Sequence, residues 1–215
     1  MNNNRHEHSV LPVDSRNYDV ITRAMNAIPP NKTGMTCEIG VREGGGTGFI
    51  IDSLSKGKFP FKVHIGVDPY GNLIYPRKEG VNKRANYTNS MRDKSIGRIY
   101  NYAMKKGVNF IFINLEDSEF FRRFGDGIPV YNSDKRILTE YIFVHIDGPH
   151  QYKYVYDEFC WFNERMTSGA TIAFDNIKYY DHESIEKHIF NCGWKLIERF
   201  ISGADTFHKA SYQKT

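Results

Sequence analysis

Cysteine is scarce in this 215-residue chain: Cys37, Cys160 and Cys192 are the only three, an odd number with no C-x-x-C spacing. That argues against a disulfide scaffold or a cysteine-based metal site and fits buried thiols in a reducing, cytoplasmic setting. Long apolar runs are missing too, and nothing approaches the roughly 18 consecutive residues of a membrane span. The opening Met-Asn-Asn-Asn-Arg-His-Glu-His has no apolar core, so no secretory signal is expected there. Two common phosphate-binding signatures are also absent. The dinucleotide fingerprint G-x-G-x-x-G fails because Arg42 stands where its second glycine belongs, which argues against a nicotinamide dehydrogenase. The P-loop fails because Gly46-Thr47 comes without a lysine.

What is present is a foldable body. Hydrophobic residues make up 40% and aromatics 14%, far too many for a disordered chain. The length suits one ordinary domain that buries its core without metal or disulfide staples. We expect a flexible N-terminus over 1–15 and a single domain over 16–215, with no repeat and no linker. The net charge of +4 is unevenly spread: between Arg77 and Lys106 nine Lys/Arg face only Glu79 and Asp93, a local +7 that leaves −3 for the rest. The basic segment 70–106 reads either as a solvated helix face or as a lid that draws in an anionic, sugar-bearing small molecule. Interleaved Tyr75, Tyr87, Tyr100 and Tyr102 would suit nucleic acid. The acidic body argues against a broad nucleic-acid surface.

Along the chain, strand-like and helix-like stretches alternate. Asp14 or Ser15 is placed to cap a helix with Val20, Ile21, Ala24, Met25 and Ile28 on one face, ended by Pro29-Pro30. Buried strands are expected at 36–41, 63–68, 110–115, 141–147 and 170–175. Helices are expected through Phe49, Ile50 and Leu54, over 95–106, and over 119–124. A further helix carries Val155, Phe159, Phe162 and Met166 and stops at Gly169. Asp181 caps the last helix, which Gly193 closes, and 194–200 pairs with 206–210 as a terminal hairpin. This order predicts a Rossmann-like α/β fold: an open, twisted, mostly parallel sheet with helices on both faces and a C-terminal antiparallel hairpin.

In such sheets ligands bind beyond the carboxyl ends of the strands. After the first strand comes Glu38-Ile39-Gly40-Val41-Arg42-Glu43-Gly44-Gly45-Gly46-Thr47. Its glycines let the backbone approach a ligand and aim amide N–H groups at it, although such turns also serve merely to pack a helix on a sheet. Glu38 is placed to hold a charged or hydroxylated group, and Gly40 and Gly44 leave room for a methionine-like tail. Asp68 ends the second strand, where a carboxylate accepts both ribose hydroxyls of an adenosyl ligand; the plainer reading is a turn residue before Pro69. Asp117-Ser118 follows the third strand, where an adenine amino group would arrive. Acidic residues at three neighbouring strand ends suit adenosine carrying no phosphates.

The fourth strand closes on Asp147-Gly148-Pro149-His150 and the fifth on Asp175-Asn176. Either pair alone reads as a turn or cap. Brought together by neighbouring parallel strands, two carboxylates and an amide oxygen form a hard donor set suited to Mg²⁺ or Mn²⁺. Of eight histidines, His150 is the one the topology puts at this cleft; His145, mid-strand, and His188, on a helix, read as structural.

Four segments, Glu38–Gly45, His64–Asp68, Val144–His150 and Ala173–Asn176, resemble the class I S-adenosylmethionine-dependent methyltransferases. More narrowly they resemble metal-dependent O-methyltransferases of the catechol and macrocin/mycinamicin sugar types, over roughly residues 33–200. The resemblance implies S-adenosylmethionine held by Glu38, Gly40, Gly44, Gly45, Thr47, Asp68, Asp117 and Ser118. It implies a divalent metal on Asp147, Asp175 and Asn176, with His150 as base. Gly46 stands where many relatives have a serine touching the cofactor's carboxylate, so that contact passes to Thr47 or to backbone amides. The expected reaction has the metal chelate two vicinal oxygens of a sugar-like or catechol-like acceptor and lower one hydroxyl's pKa, while His150 takes the proton. Metal-free transfer with His150 alone, or a non-catalytic nucleotide-binding module, fits the same residues. The acceptor's identity and the oligomeric state, a homo-oligomer included, are not legible.

Overall fold

The computed structural model describes residues 11–13, 15–131, 134–201 and 208–215, and the expected flexible segment 1–15 lies largely outside them. Its first half runs α1 (Asp19–Asn26), β1 (Met35–Ile39), α2 (Gly45–Lys56), β2 (Val63–Val67), β3 (Ile74–Lys78), β4 (Val81–Arg84), α3 (Asn89–Lys106) and β5 (Asn109–Ile113). The second half runs α4 (Asp117–Arg123), β6 (Ile128–Tyr131), β7 (Lys135–Leu138), β8 (Tyr141–Ile146), α5 (Tyr152–Asn163), β9 (Met166–Phe174), α6 (His182–Asn191), β10 (Trp194–Phe200) and β11 (Lys209–Lys214). Seven strands form one sheet in the order β10-β11-β9-β8-β1-β2-β5. The five strands from β9 to β5 are parallel, and β11 runs antiparallel to both β9 and β10. This is the expected α/β architecture, and the chain order reverses at β1, between β8 and β2.

Side-chain alternation sorts the sheet into two cores. Met35, Cys37 and Ile39 of β1 point to one face with Val63, Ile65 and Val67, under Phe120 of α4, Val155, Phe159 and Phe162 of α5, and Ile185 and Ile189 of α6. The other face packs on α1, α2 and α3 through Ile21, Met25, Ile50, Leu54 and Ile99. Thr36 and Glu38, the even-numbered residues of β1, are buried among these apolar neighbours. A parallel strand covered on both sides ordinarily reads as continuously apolar, so a buried glutamate there needs a local reason.

Several boundaries differ from the sequence reading. α1 starts at Asp19 with Tyr18 as its N-cap and no side-chain cap; Asp14 is outside the described residues. Burial of Tyr18 against Phe49, with ring centroids 5.4 Å apart, sets the helix entry in place of a capping hydroxyl. α5 ends at Asn163, not near Gly169. The chain reverses at Glu164-Arg165, and Tyr141 N–H donates to the Arg165 carbonyl, so Met166 opens β9 and Gly169 lies within that strand. The terminal hairpin exists, but its second strand is 209–214, not 206–210, because Phe200 pairs with Lys209 and Trp194 with Lys214; residues 202–207 lie outside the described part. The basic segment divides into the β3–β4 hairpin and α3, whose Ile96, Ile99, Tyr102 and Ala103 are buried. No helix among the described residues is long and apolar enough to cross a membrane.

Candidate active site

The four expected strand ends meet because each prolongs the parallel ladder by one bond. Gly40 N–H donates to the Val67 carbonyl, Asp68 N–H to Ile113, Asp147 N–H to Ile39 and Asp175 N–H to Ile146. They border a cavity of about 470 Å³, within the range of small-molecule sites. Glu38, Gly40, Asp68, Asp117, Ser118, Asp147, His150, Asp175 and Asn176 all line it. Gly44, Gly45 and Thr47 are outside this lining.

On the β1–β2 side the loop is wired by carboxylates. Asp68 is 4% exposed. Its Oδ2 accepts from the Val41 and Arg42 amides at 3.0 and 2.9 Å, and its Oδ1 from the Tyr70 amide at 2.9 Å. Burial raises its pKa, against the pull of those amides. Gly40 has φ +89°, and a Cβ there would stand 2.2 Å from the Asp147 carbonyl oxygen, so only glycine fits between the two strand ends. Glu38 faces inward: His145 Nδ1 lies 2.9 Å from its Oε1 and the Thr47 hydroxyl donates to its Oε2. A Cβ on Gly46 would stand 2.2 Å from Glu38 Oε1. A serine at this position would have to displace the Glu38 carboxylate from its present place. Thr47 is committed to Glu38, and of the residues that open α2 only Gly46 lines the cavity.

On the β8–β9 side, His150 is 8% exposed, with Nε2 3.0 Å from Asn176 Nδ2 and 3.8 Å from Asp147 Oδ1. Burial lowers its pKa to about 4, against the opposing charge of Asp175. The ring is therefore neutral at neutral pH, the form a base needs. The β3–β4 hairpin crosses the mouth: His150 N–H donates to the Pro76 carbonyl at 2.7 Å, and Tyr75, Pro76 and Arg77 line the cavity.

Two residues that sequence reasoning missed sit beneath. His145, taken as structural, has a ring nitrogen clustered with one carboxylate oxygen each of Asp147 and Asp175, all within 4.8 Å of one another. Its Nε2 has no hydrogen-bond partner. Lys209 is 1% exposed and its ammonium donates to Asp175 Oδ2, while Asp175 Oδ1 accepts from the Asn176 amide at 2.7 Å. Burial alone would raise the Asp175 pKa; Lys209, together with His145 and His150, more than offsets it and holds the carboxyl below its usual value.

The expected metal set, Asp147, Asp175 and Asn176, does converge, but it does not fit a divalent ion in this arrangement. Both Asp175 oxygens are engaged and one carries an ammonium. Unit charges about 4 Å apart interact by about 4 kcal/mol at an effective dielectric near 20. A divalent ion sharing that carboxylate would therefore meet roughly twice that repulsion. Asn176 turns its Nδ2, which cannot ligate, to His150, so what opposes an ion here is Lys209.

Comparison with known proteins agrees with the geometry. A family profile described as "Methyltransferase domain" matches residues 37–177. No curated protein matches significantly. Among solved structures, the calicheamicin methyltransferase CalS11 superposes with TM-score 0.61 at 13% identity, covering 89% of this chain and 75% of that one. An O-methyltransferase from Bacillus cereus, in complex with S-adenosylhomocysteine, gives 0.55 at 12% identity, covering 97% and 84%. The precorrin-6y C5,15-methyltransferase of Geobacter metallireducens GS-15 gives 0.54 at 11% identity, covering 95% of each chain. At these identities the likeness is one of fold. The family match spans the glycine loop and both carboxylate-bearing strand ends, and the chain thus belongs to the methyltransferase-domain family as a class I S-adenosylmethionine-dependent methyltransferase.

Proposed function

We propose that this methyltransferase acts on a hydroxyl of a small, sugar-like or catechol-like acceptor, with His150 as the base. The observation that carries the reading is a buried, neutral imidazole at the mouth of the cavity, opposite Asp68 and the glycine loop. S-adenosylmethionine, when bound, supplies a sulfonium methyl that is already electrophilic. Asp68 receives the ribose hydroxyls on its remaining lone pairs, Asp117 and Ser118 border the adenine, and the opening amides of α2 receive the carboxylate. Glu38 acts from beneath by fixing Thr47 and His145.

Acceptor chemistry falls to the β8–β9 side. Asn176 Nδ2 donates to Nε2 of His150, which sets the tautomer with the hydrogen on Nδ1. Nε2 is then the lone-pair nitrogen, and it takes the hydroxyl proton as oxygen attacks the methyl, with the thioether as leaving group. Such proton transfer contributes about 10²–10⁴ in rate. The divalent ion that the sequence resemblance implied at Asp147, Asp175 and Asn176 is not carried into this mechanism, because Lys209 already neutralises Asp175. Arg77 at the cavity wall, with Lys78, Lys83 and Arg84 on the same hairpin, favours an acceptor bearing negative charge. One structural neighbour is described as a TDP-rhamnose 3'-O-methyltransferase, an acceptor of that kind. The unpaired thiols Cys37, Cys160 and Cys192 fit a cytoplasmic setting.

The test is to incubate the chain with S-adenosylmethionine and a panel of nucleotide sugars, free sugars and catechols, following S-adenosylhomocysteine release. The reading expects turnover on at least one hydroxylated acceptor and its loss in His150→Gln. Turnover confined to nitrogen or carbon acceptors would overturn it.

A further inference from the structure

The geometry points to Lys209 as the site's own cation: its ammonium holds the place on Asp175 that a divalent ion would need, and it is a positioning residue for the Asp175–Asn176–His150 array. Lysine is almost never fully buried unless paired, and Lys209 is 1% exposed. Its setting is built from two directions. Antiparallel pairing of Ala210 with Phe174 and Ser211 with Ala173 sets Lys209 opposite Asp175, just past the end of β9. From the other side, Tyr18 presents its ring face 4.7 Å from the ammonium, a favourable cation–π contact. The strand that carries Lys209 is the one that reverses direction between β9 and β10, so the cation enters from a part of the sheet that the parallel strands do not supply.

The charge balance follows. Asp147 and Asp175 together would carry −2 and invite a divalent ion; with Lys209 the group carries −1. The Asp175 carboxylate, fixed on one oxygen by the ammonium and on the other by the Asn176 amide, holds Asn176 in its left-handed conformation, φ +53°. That conformation turns the carboxamide to His150 Nε2. Lys209 is not in the cavity lining, so it acts through Asp175 and not on substrate. Removing the ammonium while keeping both carboxylates would expose a conventional donor set, because His145 Nε2 is buried without a partner and one His145 nitrogen lies in the same cluster. Lys209→Ala should therefore convert an ammonium site into a metal site.

The transfer arm of this inference rests on the function proposed above; the metal-binding arm does not. The experiment titrates the full chain, saturated with S-adenosylhomocysteine, with Mn²⁺ by calorimetry and electron paramagnetic resonance. It compares wild type, Lys209→Ala, Lys209→Arg and the double variant Lys209→Ala/Asp175→Asn. Wild type and Lys209→Arg should show no saturable Mn²⁺ binding, and wild-type transfer should survive a chelator. Lys209→Ala should bind one equivalent, and the double variant should lose it. Where transfer is measurable, Lys209→Ala should lose about 10²-fold in turnover, the scale of a misplaced catalytic group, with cofactor affinity unchanged and partial rescue by methylammonium. Stoichiometric Mn²⁺ binding by wild type, or chelator-sensitive transfer, would overturn the inference. If Lys209→Ala does not fold, the wild-type titration and the chelator arm still decide it. Failure of wild type to transfer methyl to any hydroxyl would count against the proposed function and leave the Mn²⁺ result on Lys209 standing.

Discussion

Asp68 and Asp175 are two aspartates at the ends of parallel strands, almost equally buried at 4% and 1% exposure, and the protein treats them in opposite ways. Asp68 is surrounded by backbone: three amide groups point at it and no ammonium or guanidinium pairs with it among the described residues. Its pKa rises. Asp175 has one amide and one ammonium, and its pKa falls. Burial raises both; at Asp175 the Lys209 ammonium, with the imidazoles of His145 and His150, reverses the sign, where three amides beside Asp68, with Glu38 near, do not. One end of the cleft is thus fixed by backbone amides. The other is an ionic platform beside the His150 ring.

The sharpest way to separate the two sides is His150→Gln. Turnover should fall by about 10²–10⁴ while cofactor affinity, measured calorimetrically, stays put. A matching loss of affinity would mean that the sides do not divide the work. Next in size is Asp175→Ala. It strands a buried ammonium, which costs about 3–5 kcal/mol, read as a lowered denaturant midpoint; adding Lys209→Met should recover much of it. Asp68→Ala releases three amides onto a partly wet cleft, with about 1–3 kcal/mol for an unsatisfied group. It should lower stability less than Asp175→Ala yet weaken cofactor binding more. If the two variants rank the other way in stability, the contrast between ionic and amide wiring is wrong.

Acid should probe the imidazoles last. Burial lowers the pKa of His64 to about 3 and of His182 and His150 to about 4, from the usual 6.5. Their unfolded forms take up protons first as pH drops. Stability is thus full above pH 6.5 and is lost progressively toward 3–4, by up to about 1.4 kcal/mol per pH unit per histidine. His64→Gln should remove up to about 1.4 kcal/mol per pH unit of that loss between pH 6 and 5, seen in thermal midpoints. The same shift sets the acid limb of kcat/KM near pH 4; a limb at 6.5 would show that His150 is not the base or is not buried in the working enzyme.

The parallel framework was legible because its signals are local: apolar runs ending in Gly40, Asp68, Asp147 and Asp175 mark strand ends whatever their neighbours. The hairpins of β3 with β4 and β6 with β7 went unread: β4 is exposed at every residue, and β6, although Ile128 and Val130 are buried, is only four residues long and holds a proline. Neither Lys209 nor His145 could be placed from spacing. Lys209 meets Asp175 across 34 residues of sequence through an antiparallel register, and His145 meets Glu38 across 107. Both depend on which strands lie side by side, and both decide the chemistry of the carboxylates that the sequence did single out.

The most direct test is calorimetric titration of the full chain with S-adenosylmethionine. The geometry predicts saturable binding of one equivalent. Asp68→Ala should weaken it by tenfold or more, about 1.4 kcal/mol, and His150→Gln should not. Absence of saturable binding, or binding indifferent to Asp68→Ala, would contradict the assignment of this cleft.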